Sequence, residues 1–221
     1  MAEYSNDTLA EMHIHENLVN LLRQSDEVVK VFVEVVEGLQ EDKDFEKIYN
    51  KIHVPKTRIE ENRIMFMEYL IRLGETLRNR QNYIALANGI EKFIQLLDGA
   101  TYRLSLFRRK GYHADNEIYN MLKELATTIV SEYRSIYDGL TRLKTDPKKA
   151  LISIRDLSKL ENKADELYRE LTFTIYSKYQ NQIVPLMVLK DAIEFMENTA
   201  DLLKSMGEEL RYLALYRILI T

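Results

Sequence analysis

Apolar residues recur at helical spacing along nearly the whole chain. Leu18, Leu21, Leu22, Val28, Val29, Phe32, Val35, Val36 and Leu39 follow the i, i+3, i+4, i+7 rule of an amphipathic helix. Asp7 or Thr8 is placed to cap this first helix, and Gly38 with the polar run Gln40-Glu41-Asp42-Lys43-Asp44 ends it. A second helical stretch is predicted from about 44 to 79, with a kink or a new start at Pro55. A third runs from about 81 to 110 and stops at Gly111, a natural residue just past a helix end. A fourth covers about 115 to 144. Asp146-Pro147 then gives an N-cap followed by proline at the first helical position, opening a fifth helix over about 147 to 178. A sixth starts near Val184-Pro185 and continues almost to Thr221. No segment alternates apolar and polar residues long enough to read as a strand. The expected fold is all-α, with six long antiparallel helices arranged as two three-helix bundles.

The two halves resemble each other. An offset of 101 pairs Leu21 with Leu122, Val29 with Val130, Gly38 with Gly139 and Glu60 with Glu161. An offset of 99 pairs Asp98 with Glu197. Each half reads as helix, polar break near a glycine, helix, short break, helix. The repeat divides the chain into 1–112 and 113–221, as two bundles with separate cores or as one elongated six-helix array.

Composition narrows the functions. The 221 residues carry 31 Lys+Arg against 35 Asp+Glu, a formal charge of -4, which disfavours binding to nucleic acid phosphates. At 46% hydrophobic residues the chain can build a core, and the absence of cysteine removes disulfides, thiolate metal sites and thiol nucleophiles. The acidic, polar start lacks the pattern of a signal peptide, and no stretch approaches the roughly 18 apolar residues of a membrane span. A cytoplasmic protein is expected, with any membrane contact peripheral or through a partner.

Two short strings carry the candidate chemistry. Glu161-Asn162-Lys163-Ala164-Asp165 and Glu197-Asn198-Thr199-Ala200-Asp201 both have the form Glu-Asn-x-Ala-Asp. Spacing i, i+4 puts both carboxylates of each string on one helix face. Neighbouring antiparallel helices would bring four carboxylates together, and such a cluster is unstable without cations because like charges repel. A divalent or trivalent metal ion relieves the repulsion, and oxygen ligands suit Mg, Ca, Mn or iron. The plainer account is a solvated helix face, where Glu and Asp four residues apart are common; Glu194 and Glu208 continue such an acidic edge.

The segment Leu160-Glu161-Asn162-Lys163-Ala164-Asp165-Glu166-Leu167-Tyr168-Arg169-Glu170-Leu171 resembles the second-helix signature of the PhoU-like proteins. The segment Val188-Leu189-Lys190-Asp191-Ala192-Ile193-Glu194-Phe195-Met196-Glu197-Asn198-Thr199-Ala200-Asp201 resembles their third-helix signature. With the six-helix layout and the two-fold repeat, the resemblance covers nearly the whole chain. The closer branch is the group known as Pit accessory proteins, or phosphate transport regulators. The resemblance implies two three-helix bundles with metal clusters held by Glu/Asp-x-x-x-Asp strings on the bundle surface. Carried over to this chain, the implied metal ligands are Glu161, Asp165, Glu197 and Asp201. The first half departs from the pattern: Glu60 is followed four residues later by Ile64, Glu61 by Met65 and Asp98 by Tyr102. One metal site is therefore expected, in the second bundle.

The function this implies is a non-enzymatic, metal-binding regulator of phosphate transport acting on a Pit-type membrane permease or a related partner. Self-association of the chain is a further expected contact, and no catalytic residue is assigned. A helical scaffold or adaptor without metal is the alternative. A ferritin-like carboxylate metalloenzyme is a third reading, but it needs Glu-x-x-His, and three residues before His13, His15, His53 and His113 stand Ala10, Met12, Asn50 and Lys110. The apolar end, from Leu210 onward, is expected to pack on a bundle.

Overall fold

A computed structural model describes residues 9–74 and 77–220. The proposed caps Asp7 and Thr8 lie outside the described residues. The first helix, α1 (Leu9–Glu37), passes into a short 3-10 turn at Gly38–Gln40. The next stretch is two helices, α2 (Phe45–Asn50) and α3 (His53–Arg72). Asp44 caps α2 by accepting from the Lys47 backbone N–H at 2.9 Å. Pro55 falls in the first turn of α3, where a missing N–H leaves no bond unmade. Next comes α4 (Arg80–Arg109), ended by Gly111 at φ 80, a conformation that glycine adopts without a Cβ clash. The second half begins with α5 (Asn116–Arg142), which Asp115 caps at the Ile118 N–H, 3.0 Å away.

The fifth predicted helix corrects to two: α6 (Pro147–Ser153) and α7 (Leu157–Tyr179). No glycine or proline marks this break. It is made by tertiary packing, because the buried Ile154 turns in against Gly139, where an added Cβ would lie 2.8 Å from the Ile154 side chain. The repeat thus extends to the short helices, α6 standing where α2 stands in the first half. The last helix, α8 (Ile183–Ile220), is 38 residues long. Among the described residues there is no strand, and no helix is long and apolar enough to cross a membrane.

The long helices α1, α3 and α4 pack on one another, as do α5, α7 and α8. Within each bundle, long helices that follow one another in the chain run in opposite directions, so the first and third run parallel, as where Ile136 and Gly139 of α5 meet Gly207 and Leu210 of α8. Lys56 meets Asp98 while Arg63 meets Glu91, so α3 ascends as α4 descends. Likewise His15 on α1 reaches the Leu140 carbonyl of α5, and Tyr119 of α5 reaches the Glu37 carbonyl of α1. The most extensive interface joins the halves, between α4 and α8. Glycines let these two helices approach: a Cβ on Gly99 would stand 2.5 Å from Phe195, and one on Gly89 would stand 2.7 Å from Met206. One buried cluster runs through both halves and includes Phe32, Phe93, Phe107, Ile136 and Leu203. Each such side chain contributes about 1.5–3 kcal/mol relative to exposure. Within the apolar end, Leu210 and Leu213 are buried while Leu215 and Leu219 are exposed.

Candidate metal centre

Glu161 and Asp165 lie one turn apart on α7, and Asp201 lies on the adjacent, oppositely directed α8. Ala164, between Glu161 and Asp165 in the chain, is fully buried, so these two acids border the packed face of α7. One carboxylate oxygen from each of Glu161, Asp165 and Asp201 falls within 4.8 Å of the others. Burial grades from core to solvent across the group: Glu161 is buried, Asp165 half-buried and Asp201 exposed. Glu197, one turn before Asp201, is half-buried and lies outside this group. Its carboxyl is nevertheless held above its ordinary range by burial and by the charges of Asp201 and Asp165. Burial, with Asp165 and Glu161, raises Asp201 in the same way, against an opposing pull from Lys204.

Two basic groups touch the acids. Lys204, one turn after Asp201, donates to Glu161 Oε1 at 2.7 Å. Arg169 donates to Asp165 Oδ2 at 3.0 Å. The other oxygen of Glu161 is buried with no hydrogen-bond partner among the described residues. Behind the group, and outside the three acids whose oxygens converge within 4.8 Å, sits a residue that the two five-residue strings do not contain. Glu132 on α5 is fully buried, and both of its oxygens lack partners among the described residues. Burial, then repulsion from Glu161 and Asp201, pushes its carboxyl up to about 9, with Lys204 pulling the other way. A signal for Glu132 exists in the sequence: it occupies a place in the apolar stripe of α5 between Ile129 and Ile136. Lys204 has a weaker one, three residues after Asp201 on the same helix.

The donor set is entirely oxygen and net acidic, and three of its oxygens are buried without partners among the described residues. That combination fits a hard cation such as Mg, Ca, Mn or iron. The four histidines take other roles. His13 packs edge-on against Tyr69, His53 against Tyr49, His15 bonds to the Leu140 carbonyl and His113 pairs with Arg108.

No protein-family model matches the chain. A UPF0111 protein of Methanothermobacter thermautotrophicus is 22% identical over 126 residues, a match spanning 56% of this chain and 56% of that protein. The chain therefore aligns with little more than half the length of this curated relative. A crystal structure from Shewanella oneidensis MR-1, described as a PhoU-like phosphate regulatory protein, superposes with a TM-score of 0.73. The overlap covers 90% of this chain and 98% of that one at 14% identity, a likeness of fold alone. The chain has the PhoU-like fold.

Within the PhoU-like fold, the buried faces fix the register of the repeat. Leu18, Leu21, Phe32 and Val36 of α1 correspond to Leu122, Leu125, Ile136 and Leu140 of α5, which pairs Val28 with Glu132. Ile52, Ile59, Phe66 and Leu70 correspond to Leu157, Ala164, Leu171 and Ile175, which pairs Lys56 with Glu161 and Glu60 with Asp165. Leu86, Ile90, Phe93 and Leu97 correspond to Leu189, Ile193, Met196 and Ala200, which pairs Ile94 with Glu197 and Asp98 with Asp201. This register differs from the offsets of 101 and 99 that identities favour. The first bundle keeps the second carboxylate of each string and lacks the first. At its matching station Lys56 donates to Asp98 Oδ2 at 2.6 Å, and the Tyr49 hydroxyl donates to Oδ1 at 2.9 Å. Burial and that bond raise the Tyr49 hydroxyl, so it stays protonated.

Proposed function

We propose that this chain is a non-enzymatic, metal-binding regulator of phosphate transport, acting at the cytoplasmic face on a Pit-type membrane permease or a related partner. The observation that carries the metal reading is the convergence of Glu161, Asp165 and Asp201 within 4.8 Å across two helices. The phosphate connection is supported by the PhoU-like fold, since the Shewanella protein of that fold is described as a phosphate regulatory protein.

A bound divalent or trivalent cation supplies positive charge against the mutual repulsion of the acids. Glu161, Asp165 and Asp201 would hold it, with Glu197 one turn away on α8. By sharing one counter-charge, the carboxylates would lock α7 to α8 in a fixed register. The outer face of the second bundle would then present one docking surface. The test is elemental analysis of protein purified without chelator, joined to a pull-down from membranes. Replacing Asp165 and Asp201 by Asn is expected to lower metal content and thermal stability together. Unchanged metal content in that variant would overturn the site assignment.

A second reading is a helical scaffold without metal. Lys204 favours it, because its ammonium already gives Glu161 one cation at 2.7 Å. Protein that carries no metal and binds none on titration would select this reading.

A further inference from the structure

Glu132 has no part in the two strings, yet it is the most enclosed acid at the site. It belongs to the buried stripe of α5, and neither carboxyl oxygen meets a donor among the described residues. A Cβ on Gly207 of α8 would meet both Leu157 of α7 and Ile136 of α5, so one turn away Glu132 stands at the level of Glu161, and the charges that act on it are those of Glu161, Asp201 and Lys204. Lys204 is engaged by Glu161, whose own second oxygen is buried and unpartnered as well. Polar atoms enclosed in this way are rare, and each calls for a group that completes it. The fold does not require an acid at this station, because the first bundle fills it with the equally buried Val28. Asp165 and Asp201, by contrast, are open to solvent on one side.

We propose that Glu132 is the inner ligand of the α7–α8 cation site, so that an ion held there bridges three helices, α5, α7 and α8, once Lys204 leaves Glu161. This rests on the metal reading given above and adds a ligand to it. The ligand class is a hard divalent cation, since every donor is a carboxylate oxygen. The third helix changes what occupancy can do. Tyr133, the residue after Glu132, stacks on Phe93 of α4 at 5.2 Å, and its hydroxyl lies 2.7 Å from the Leu22 carbonyl of α1. A ligand on α5 therefore ties the site to the joint between the two halves, whereas ligands on α7 and α8 alone stay within the second.

The test titrates the full chain, stripped of metal, with manganese(II) chloride in a calorimeter. Wild type is compared with Glu132→Gln, which keeps the shape, and with Glu132→Val, which copies the first bundle. Both variants are expected to bind manganese at least about tenfold more weakly. Their metal-free melting temperatures are expected to equal or exceed that of wild type, which separates a lost ligand from a damaged fold. Wild-type affinity in either folded variant would overturn the role of Glu132 and leave Glu161, Asp165 and Asp201 as the site. If wild type bound neither manganese nor ferrous iron, the metal reading and this inference would fall together.

Discussion

The two bundles meet the same electrostatic problem at the same station and resolve it differently. In the first, Lys56 lies where the second has Glu161, and its ammonium sits 2.6 Å from Asp98. The cation there is tethered to the chain. In the second, Glu161, Asp165 and Asp201 converge with Glu132 behind them, and Lys204 and Arg169 are the bases in contact with the group. One exchange of lysine for glutamate, with valine for glutamate beneath it, turns a self-neutralised crossing into an acid pocket. The first half packs the same three helices around an internal counter-charge, so the packing itself does not call for the acids of the second half.

The largest expected effect follows from Glu132, for which the first bundle has no counterpart. In the unfolded chain its carboxyl loses its proton near 4.5, whereas the folded site keeps it up to about 9. Between those values the folded state binds more protons than the unfolded one, so raising pH favours unfolding. The stabilising contribution is complete below about 4.5 and is lost as pH climbs through about 9. Melting of chelator-treated protein is expected to fall on the order of 15 °C across that window. Glu132→Gln should flatten the dependence; an equally steep fall in that variant would trace the effect to other groups.

Next in size is metal removal. A cation held well above its dissociation constant stabilises by about 3–4 kcal/mol. Chelation of wild type is then expected to lower the melting temperature on the order of 10 °C. In Asp165→Asn/Asp201→Asn the same treatment should have no effect. Equal sensitivity of variant and wild type would erase the contrast between the halves, because the stabilising ion would then be bound elsewhere.

The contrast can also be sharpened by moving the second station into the first. Lys56→Glu adds a carboxylate beside Glu60 and Asp98, so that all three positions carry an acid, as Glu161, Asp165 and Asp201 do, with Glu60 standing where the second half has Asp165. Without metal the variant should lose about 2 kcal/mol, since a partly buried ion pair becomes a repulsion. With manganese present, binding stoichiometry should rise by one site per chain. Destabilisation without added binding would mean that the carboxyl of Glu132, whose place Val28 takes in the first half, is indispensable.

Most of this architecture is legible in the residues themselves. Apolar spacing marks the six long helices, and Asp115, Asp146 and Gly111 mark their ends, because these are local interactions. The break after Ser153 is not legible, since it depends on Ile154 finding Gly139 across the bundle. For the site, i, i+4 spacing fixes which acids share a helix face. It says nothing of the level at which two opposed helices meet, which is why Glu197 reads as equivalent to the others in sequence and lies outside their group in space. Identities between the halves are too few to set the repeat, and burial places Asp98 opposite Asp201. Glu132 escapes a sequence reading because it interrupts an apolar stripe, where a lone acid is noise until its neighbours are known.

The smallest effect concerns Lys204, the base on α8 that pairs with Glu161 of α7. Lys204 is about half exposed, so its pair with Glu161 is partly screened and contributes little, about 1 kcal/mol. Lys204→Met keeps the aliphatic stem and removes the charge. The metal-free protein should then melt slightly lower, as Glu161 loses a direct donor. Manganese binding should tighten, because an incoming cation no longer competes with an ammonium for Glu161 Oε1. The opposite signs matter more than the sizes. A lysine that merely braced α7 on α8 would lower both stability and affinity when removed, whereas a lysine acting as a displaceable counter-ion lowers the first and raises the second. Calorimetric titration beside a melting curve of the same preparation separates the two, and a loss of affinity would make Lys204 a brace between α7 and α8 rather than a displaceable counter-ion.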